Sequence, residues 1–149
     1  MIRKAKANEA AAVLNVVQAA YIRYVAVIGT PPGPMLDDYP ARIAAGQVWV
    51  MEVEAGIAGV LVLQAGPDYV LLDNIAVHPD RQGQGLGRLL LEFSEAEATR
   101  CGWSTITLYT NALMVENLAI YAARGYVEQD RRTEKGFDRV YMAKRLTAN

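Results

Sequence analysis

Apolar side chains recur every three to four positions along the first long segment of the chain. From Ala10 onward the spacing follows the i, i+3, i+4, i+7 rule of a helix with one buried face. The positions on that face are Val13, Val16, Val17, Ala20, Tyr21 and Tyr24. The pattern predicts a short strand over residues 1–5, followed by an amphipathic helix that ends before Gly29.

The next residues interrupt the helical pattern. The prolines between Thr30 and Pro34 can neither continue a helix nor join the interior of a sheet, so they predict a loop. Asp38 and Pro40 are typical of a helix start. They predict a short second helix that continues through Ala45.

Apolar and β-branched runs then predict strands. They cover residues 47–53, 57–63 and 69–77, and turn-forming residues at 54–56 and 66–68 separate them. Three consecutive strands joined by such short turns form an antiparallel meander.

Helices and strands alternate in the rest of the chain. A helix is predicted to continue to about Arg100, and its apolar face comprises Leu86, Leu89, Leu90, Phe93 and Ala96. A strand over residues 104–110 follows, and the helix between them makes it parallel to strand 69–77. A further helix is marked by Val115, Leu118, Ala119 and Ala122, and strands follow from Tyr126 and from Phe137.

Composition narrows the class of protein. The chain of 149 residues suits one domain, and its net charge of -1 without a basic face argues against nucleic acid and membranes as partners. Polar residues break up the apolar N-terminal stretch, so we expect no signal peptide. One cysteine agrees with a reducing, cytoplasmic location. One histidine without cysteines at ligand spacing predicts no metal site.

A glycine loop follows strand 69–77 directly and opens the next helix. Gly83, Gly85 and Gly87 alternate with Gln84 and Leu86. The first turn of a helix has main-chain N–H groups without partners, and the helix dipole adds partial positive charge there. Glycines let a phosphate approach the backbone and allow positive φ angles, so the loop is typical of an anion site.

The spacing separates this loop from two similar ones. Arg88 and Leu89 follow the last glycine, whereas a P-loop needs Lys and then Ser or Thr. A dinucleotide fold needs G-x-G-x-x-G and a later carboxylate, and this loop reads G-x-G-x-G. A nucleotide-binding protein for ATP or NAD is therefore disfavoured. The sequence Gln-x-x-Gly-x-Gly, from Gln82 to Gly87, resembles the acyl-coenzyme A pyrophosphate loop of the GNAT superfamily of N-acetyltransferases.

The order of the elements also resembles that family over nearly the whole chain. The resemblance implies one α/β (α+β) domain over residues 1–149. Its mostly antiparallel sheet would have about seven strands, with a central parallel pair that splays apart and about four helices beside it. The implied cofactor, acetyl-coenzyme A, would lie in the gap between the parallel strands.

The family's cofactor contacts transfer by position to this sequence. Main-chain groups of Ile75, Ala76 and Val77 would bind the pantetheine arm, and an N–H group near Val77 would polarise the thioester carbonyl. The residues expected to hold the pyrophosphate are Gln82, Gly83, Gln84, Gly85, Leu86, Gly87 and Arg88.

A second family signature lies further along the chain. It comprises Asn111, Asn117 and Tyr121, followed by Gly125 and Tyr126. Asn117 and Tyr121 are four residues apart and share a helix face, so both are expected to contact the cofactor together with Asn111. The family's catalytic acid, which protonates the leaving thiolate, would be Tyr121. The alternatives are a core aromatic at Tyr121 and a turn cap at Asn111.

The amine acceptor must lose a proton before it can attack. Asp73 is the one carboxylate on strand 69–77, and its side chain shares a face with Leu71, Ile75 and Val77. Asp73 is therefore the candidate general base, and the alternative is a structural hydrogen bond.

Long irregular loops in compact domains are often functional, and the resemblance implies that the segment between the first two helices walls the acceptor site. The candidate contacts are Tyr21, Tyr24, Met35 and Asp38. Asp37 and Asp38 either receive a cationic amine or cap the next helix. The expected acceptor is a primary amine of a small molecule or peptide, acetylated by direct transfer in a ternary complex. The alternative function is a coenzyme A-binding module without useful catalysis, and the last strands are a candidate homodimer interface.

Overall fold

The computed structural model describes residues 1–54 and 56–146. These residues form one sheet of seven strands, in the order β1-β2-β3-β4-β5-β7-β6. The strands are β1 Ile2–Lys4, β2 Val48–Val53, β3 Gly56–Ala65, β4 Val70–Val77, β5 Thr105–Asn111, β6 Val127–Glu134 and β7 Phe137–Arg145. The α-helices are α1 Ala10–Ile28, α2 Tyr39–Ala44, α3 Leu86–Arg100 and α4 Val115–Ala123, and short 3-10 turns cover Ala7–Glu9, Gly33–Leu36 and Pro79–Arg81.

This architecture confirms the predicted fold class. β4 and β5 are parallel, while the pairs β1–β2, β2–β3, β5–β7 and β6–β7 are antiparallel. The predicted strand boundaries are correct to within a few residues. The predicted turn over residues 54–56 includes Ala55, which lies outside the described residues.

The chain divides into two compact units. The first comprises Met1–Leu63 and Asn74–Ser94, and the second comprises Gln64–Asp73 and Glu95–Asn149.

Helix α1 belongs to the first unit and ends where the pattern predicts. All six predicted face residues are buried: Val13, Val16, Val17, Ala20, Tyr21 and Tyr24. Gly29 ends the helix with a φ of 91° and donates its N–H to the Val25 carbonyl. Glycine adopts this left-handed conformation without strain, which explains the position of the stop.

The helical stretch over residues 7–28 is also long and apolar enough to cross a membrane, with a mean hydropathy of 1.6. The polar residues of this stretch therefore do not lower its mean hydropathy enough to exclude a membrane-spanning helix by length and composition. A core helix passes the same test, and the Tyr21 hydroxyl donates a hydrogen bond to the Asn74 side chain at 2.9 Å. This contact ties one face of the helix to a strand of the first unit, and 28% of the apolar window is buried.

The prediction for the buried face of α3 is wrong at two positions. Leu89 is 43% exposed and Ala96 is exposed, whereas the buried residues are Leu90, Leu91, Ser94 and Ala98. The polar Ser94 is tolerated in the core because its hydroxyl donates to the Leu91 carbonyl at 2.7 Å. A search for apolar spacing does not count a buried serine, so it assigns the buried face of α3 to the wrong side of Leu90.

Helix α4, in the second unit, shows a similar difference. The helix exists as predicted, but Val115 is 66% exposed and Ala119 and Ala122 are exposed. Its buried residue is Tyr121, whose ring packs edge-on against Tyr126 with centroids 5.7 Å apart. The aromatic pair, rather than the aliphatic stripe, anchors this helix.

Glu95 is the centre of a hydrogen-bonded cluster in the second unit. Its carboxylate accepts hydrogen bonds from Lys144 at 2.8 Å, from the Tyr126 hydroxyl at 3.2 Å and from Arg124 at 3.5 Å. Burial raises the pKa of Tyr126, and the Glu95 carboxylate raises it further. Tyr126 therefore stays protonated and acts as a donor within this cluster.

Candidate active site

The glycine loop leaves β4 through a tightly bonded turn. The His78 N–H donates to the Ala58 carbonyl at 2.8 Å, which ties the end of β4 to β3. The His78 Nδ1 atom then accepts the Asp80 N–H at 3.1 Å and caps the turn Pro79–Arg81. Strand and turn thereby fix the starting point of the loop.

Two of the three loop glycines adopt conformations that other residues avoid. Gly83 and Gly85 have φ angles of 83° and 78°. A side chain at either position would strain the backbone. Gly87 has no positive φ, and a Cβ atom there would meet Val77 Cγ2 at an ordinary 3.9 Å. The shape of the loop thus depends on Gly83 and Gly85.

The loop leaves a row of main-chain donors without partners. Among the described residues, no group accepts a hydrogen bond from the main-chain N–H of any residue from 83 to 88, and the first helical bond is Leu89 N–H to Gly85 carbonyl at 3.1 Å. These donors stand at the positive end of the dipole of a 15-residue helix. Arg88 adds an exposed guanidinium whose Nε atom lies 3.9 Å from Glu92.

This arrangement has the chemistry of an anion site. Successive N–H groups in alternating left-handed and right-handed conformations form a concave surface that binds phosphate. The residues present, six main-chain N–H donors and the Arg88 guanidinium at a helix N-terminus, fit an anion such as the diphosphate of coenzyme A.

Two carbonyl groups of β4 already accept bonds from the protein. The Ile75 carbonyl accepts the Tyr21 hydroxyl at 3.0 Å, and the Val77 carbonyl accepts the Gln82 side-chain amide at 3.4 Å. A carbonyl oxygen has two lone pairs, so one such bond does not by itself exhaust it as an acceptor. The side chains of Ile75 and Val77 are half-buried, and Ala76 between them is buried, as the strand alternation predicts.

The predicted acceptor residues lie in different surroundings. Tyr21 and Tyr24 are buried on α1, and the Arg23 guanidinium covers the Tyr24 ring at 4.7 Å. Met35 is half-buried in the turn Gly33–Leu36. Asp38 caps α2, because its side chain accepts the Ala41 N–H at 3.2 Å. The capping interpretation of Asp38 therefore agrees with the structure.

The structure adds one polar residue that the sequence did not single out, Asn74, and pairs it with Tyr39 of the irregular segment. Asn74 is only 3% exposed and Tyr39 only 1%. The Asn74 side-chain amide donates to the Tyr39 hydroxyl at 3.0 Å, and the Tyr39 hydroxyl donates to the Pro34 carbonyl at 2.5 Å. We call Tyr21, Asn74, Tyr39 and the Pro34 carbonyl the Asn74 network, because the Tyr21 hydroxyl donates to the Asn74 side chain at 2.9 Å. A buried asparagine on an apolar strand is the signal that could have drawn attention to this network.

Asp73 lies in the second unit beside a tyrosine of β5. The Tyr109 hydroxyl donates to an Asp73 carboxylate oxygen at 3.4 Å. Burial raises the pKa of Tyr109, and the charge of Asp73 raises it further, so Tyr109 remains a protonated donor. Tyr141 packs against Tyr109 with ring centroids 5.4 Å apart, and Arg139 lies over the Tyr109 ring at 4.6 Å.

The second signature is carried by the end of β5 and by α4. The Asn111 side chain accepts the Leu113 N–H at 2.9 Å and so caps the turn into the helix. Asn117 is half-buried and Tyr121 is buried, four residues apart on α4.

The described residues contain no group of three or more His, Cys, Asp or Glu side chains that could hold a metal ion.

The chain resembles known proteins in sequence and in fold. It is 39% identical over 72 residues to the [ribosomal protein bS18]-alanine N-acetyltransferase of Escherichia coli K12, which is 48% of this chain and 49% of that relative. The match thus spans about half the length of the curated relative.

Two solved structures share the fold. The crystal structure of the ribosomal-protein-S18-alanine N-acetyltransferase from Escherichia coli has a TM-score of 0.78 at 24% identity, covering 100% of this chain and 95% of that one. The PaiA N-acetyltransferase from Thermoplasma acidophilum, in complex with coenzyme A, has a TM-score of 0.83 at 16% identity, covering 97% and 98%.

A family model described as the acetyltransferase (GNAT) domain matches residues 44–128. This range is more than half of the 149 residues and includes the glycine loop and the Tyr121 signature. The chain therefore belongs to the GNAT acetyltransferase family.

Proposed function

We propose that the protein is an N-acetyltransferase that moves the acetyl group of acetyl-coenzyme A directly to a primary amine. The observation that carries the proposal is the row of unpartnered N–H groups from Gly83 to Arg88 at the start of α3. An anion there removes the cost of the unsatisfied donors and interacts favourably with the helix dipole.

Binding would use main-chain groups more than side chains. The N–H groups of residues 83–88 and the Arg88 guanidinium would hold the diphosphate, and main-chain groups of Ile75 to Val77 would hold the pantetheine arm. When bound, the cofactor supplies an activated acetyl thioester. An N–H group near Val77 would stabilise the negative charge that develops on the carbonyl oxygen during attack.

The acceptor would lose its proton to Asp73. A protonated amine is not a nucleophile, and its pKa is about 10.4 in an alkylamine and about 8 at a peptide N-terminus, so a carboxylate close to the amine promotes attack at neutral pH. The Tyr109 hydroxyl donates to one Asp73 oxygen at 3.4 Å, and so orients the carboxylate. The amine nitrogen then forms a bond to the carbonyl carbon while the carbon–sulfur bond breaks.

Tyr121 would deliver a proton to the departing sulfur. One proton thus leaves the amine and one reaches the thiolate, so the transfer is balanced without a covalent enzyme intermediate. Asn111 and Asn117 would contribute hydrogen bonds to the cofactor. Asn111 already accepts the Leu113 N–H, which leaves its amide N–H groups as the available donors.

The relative's name suggests the first acceptor to try. The matched Escherichia coli enzyme acts, by its name, on an alanine of a ribosomal protein. We therefore propose a peptide that begins with alanine as the first acceptor, compared with a small amine such as spermidine.

A coenzyme A-binding module is the second candidate. The observation in its favour is that Asp73 already accepts a hydrogen bond from Tyr109. A carboxylate used only for structure would leave the chain with a cofactor site and without its candidate base. Thiol release from acetyl-coenzyme A separates the two candidates, since amine-stimulated release contradicts the binding module.

The decisive variant is Tyr121→Phe. We expect an acetyl-coenzyme A dissociation constant within about twofold of the unmodified protein, because one hydroxyl contributes little to a diphosphate-dominated site. Turnover should fall about 100-fold, the typical contribution of a general acid. Tyr69→Phe, which removes a hydroxyl from a residue that is 38% exposed, is the matched control. Unchanged turnover in Tyr121→Phe would remove Tyr121 from the mechanism but leave the cofactor site intact.

A further inference from the structure

The last residues of β4 present their main-chain groups alternately to two edges of the strand. The Ala76 carbonyl faces β3, since a Cβ atom built at Gly59 would lie 3.4 Å from its oxygen. Successive strand residues point their carbonyls to opposite edges, so those of Ile75 and Val77 face away from β3. Among the described residues, the ladder of β4 with β5 covers Val70–Leu72 and stops before these two carbonyls. We call the edge that carries them the open edge of β4.

One tyrosine of α1 binds two consecutive residues at the start of the open edge. The Tyr21 hydroxyl donates to the Asn74 side-chain oxygen at 2.9 Å and to the Ile75 carbonyl at 3.0 Å. A hydroxyl has one proton, so the two acceptors share it. We call the Tyr21 hydroxyl and these two acceptors the Tyr21 clamp.

The rest of the Asn74 network holds the clamp in one orientation. The Asn74 amide donates to the Tyr39 hydroxyl at 3.0 Å, which turns the oxygen of the same side chain towards Tyr21. Asn74 is 3% exposed and Tyr21 is 9% exposed, so water does not readily replace a bond lost here. The direction of the Ile75 carbonyl is therefore set by the protein and not by solvent.

The other carbonyl of the open edge is held less firmly. The Val77 carbonyl accepts the Gln82 side-chain amide at 3.4 Å, and Gln82 is exposed. A bond of that length is weak, and a ligand can replace an exposed donor more easily than a buried one. Ile75 is therefore the fixed point of the open edge, and Val77 is the exchangeable one.

We propose, building on the proposed acetyltransferase function, that the Tyr21 clamp positions the pantetheine arm of the cofactor. The clamp fixes the direction of the Ile75 carbonyl, to which an amide N–H group of the arm would donate. Tyr21 and Asn74 are positioning residues that act through Ile75 rather than by contact with the cofactor. The glycine loop holds the diphosphate without the clamp, so the two halves of coenzyme A report on different parts of the protein.

The first arm of the test compares coenzyme A with 3′-phospho-ADP, the half of the cofactor that carries the diphosphate but no pantetheine. Calorimetric titration of Tyr21→Phe should show about tenfold weaker binding of coenzyme A, equivalent to one hydrogen bond. Binding of 3′-phospho-ADP should stay within about twofold, because the loop is unchanged. The variant keeps the buried ring and its contact with Tyr24, whose ring centroid is 6.3 Å away, so it should fold.

Tyr39→Phe is the matched control for this variant. It removes a hydroxyl of the same network from a residue that is 1% exposed, but it leaves the bonds that Tyr21 donates. Both probes should bind to it within about twofold of the unmodified protein. A comparable loss of coenzyme A affinity in Tyr39→Phe, or equal losses for the two probes in Tyr21→Phe, would show that the clamp only stabilises the fold.

The second arm reads the bond to Ile75 without any cofactor. In a nuclear magnetic resonance spectrum of protein with isotope-labelled isoleucine carbonyls, the Ile75 resonance should move upfield in Tyr21→Phe, because the carbonyl loses a donor. It should move less in Tyr39→Phe. An unmoved Ile75 resonance in Tyr21→Phe overturns the proposal.

The two arms also separate the clamp from the proposed function. If the unmodified protein binds neither coenzyme A nor 3′-phospho-ADP, the acetyltransferase function fails together with the clamp. If it binds coenzyme A and Tyr21→Phe binds it equally well, the clamp alone is overturned.

Discussion

The glycine loop and the Asn74 network both belong to the first unit, but they differ in how the sequence specifies them. The loop uses main-chain N–H groups of six consecutive residues, Gly83 to Arg88. The network uses side chains whose positions along the chain, 21, 39 and 74, are far apart. A main-chain site depends on local spacing and on two φ angles, whereas a side-chain site exists only after the elements have packed. The loop could therefore be located from spacing, and the network could not.

The largest predicted effect is a loss of cofactor affinity when a glycine of the loop is replaced by a residue that avoids positive φ angles. In Gly85→Val a β-branched residue would have to adopt a φ of 78°, so the N–H groups would no longer converge on an anion. We expect acetyl-coenzyme A affinity to fall about 100-fold, equivalent to losing one or two hydrogen bonds to a charged group. Calorimetric titration with coenzyme A measures this loss.

Gly136→Val is the matched control for that change. Gly136 has a φ of 81° in the turn between β6 and β7, so the substitution imposes similar strain away from the loop residues. It should lower the melting temperature without a comparable loss of affinity. Equal affinity losses in the two variants would mean that general destabilisation, not the shape of the loop, governs binding.

The same contrast explains which parts of the site the sequence could predict. The stop of α1 at Gly29 and the cap at Asp38 follow from one or two neighbouring residues, and both agree with the structure. The buried face of α3 depends on what packs against it, and Gly59 of β3 shows why. A Cβ atom at Gly59 would lie 2.9 Å from Leu90 Cδ1, so the missing side chain lets that leucine approach the strand.

Tertiary contacts also decide what the predicted chemical residues do. Asp73 could be singled out as the one carboxylate of its strand, but its partner Tyr109 lies on another strand and does not follow from any spacing. In the same way Tyr21 is a predicted acceptor contact, and the partners of its hydroxyl, Asn74 and the Ile75 carbonyl, do not follow from any spacing. Side-chain identity is visible in a sequence, but the partner that sets its role is not.

The next largest effect is expected for Asp73→Asn, which keeps the size of the side chain and removes the proton acceptor. Turnover at neutral pH should fall about 30-fold, within the usual range for a general base. Turnover of the variant should then rise about tenfold per pH unit below the pKa of the acceptor amine, because free amine replaces the missing base. A pH profile of kcat/KM from 6 to about 9 tests this expectation. A profile parallel to that of the unmodified protein would assign Asp73 to structure alone.

A smaller effect is expected on the free energy of unfolding, which a substitution in the Asn74 network should lower and a substitution in the glycine loop should not. Tyr39→Phe leaves the Asn74 amide and the Pro34 carbonyl without their partner in the core. The free energy of unfolding should fall by about 1–3 kcal/mol. Gly87→Ala, in the first turn of α3, should instead raise it by up to about 1 kcal/mol, because Gly87 has no positive φ and alanine loses less backbone entropy on folding. Urea denaturation of both variants gives the comparison, and a stable Tyr39→Phe would show that the network is not anchored as the hydrogen bonds indicate.

The smallest change in the free energy of unfolding is expected for an ion pair whose two side chains are close in sequence. Such a pair is local, like the glycine loop, but uses side chains, like the Asn74 network. Arg3 of β1 donates two hydrogen bonds of 2.8 Å to Glu9 and thereby lowers the pKa of Glu9 from 4.5 to about 2. A carboxyl group whose pKa is lower in the folded state stabilises the fold above its unfolded pKa of 4.5, and this contribution is lost as the pH falls towards 2. Glu9→Gln should therefore be less stable than the unmodified protein at pH 7, by no more than about 1 kcal/mol because the pair lies at the surface. The difference should disappear as the pH of the urea denaturation experiment is lowered towards 2. A difference that persisted unchanged at the lowest pH would point to packing of the Glu9 side chain, and not its charge, as the source of the stabilisation.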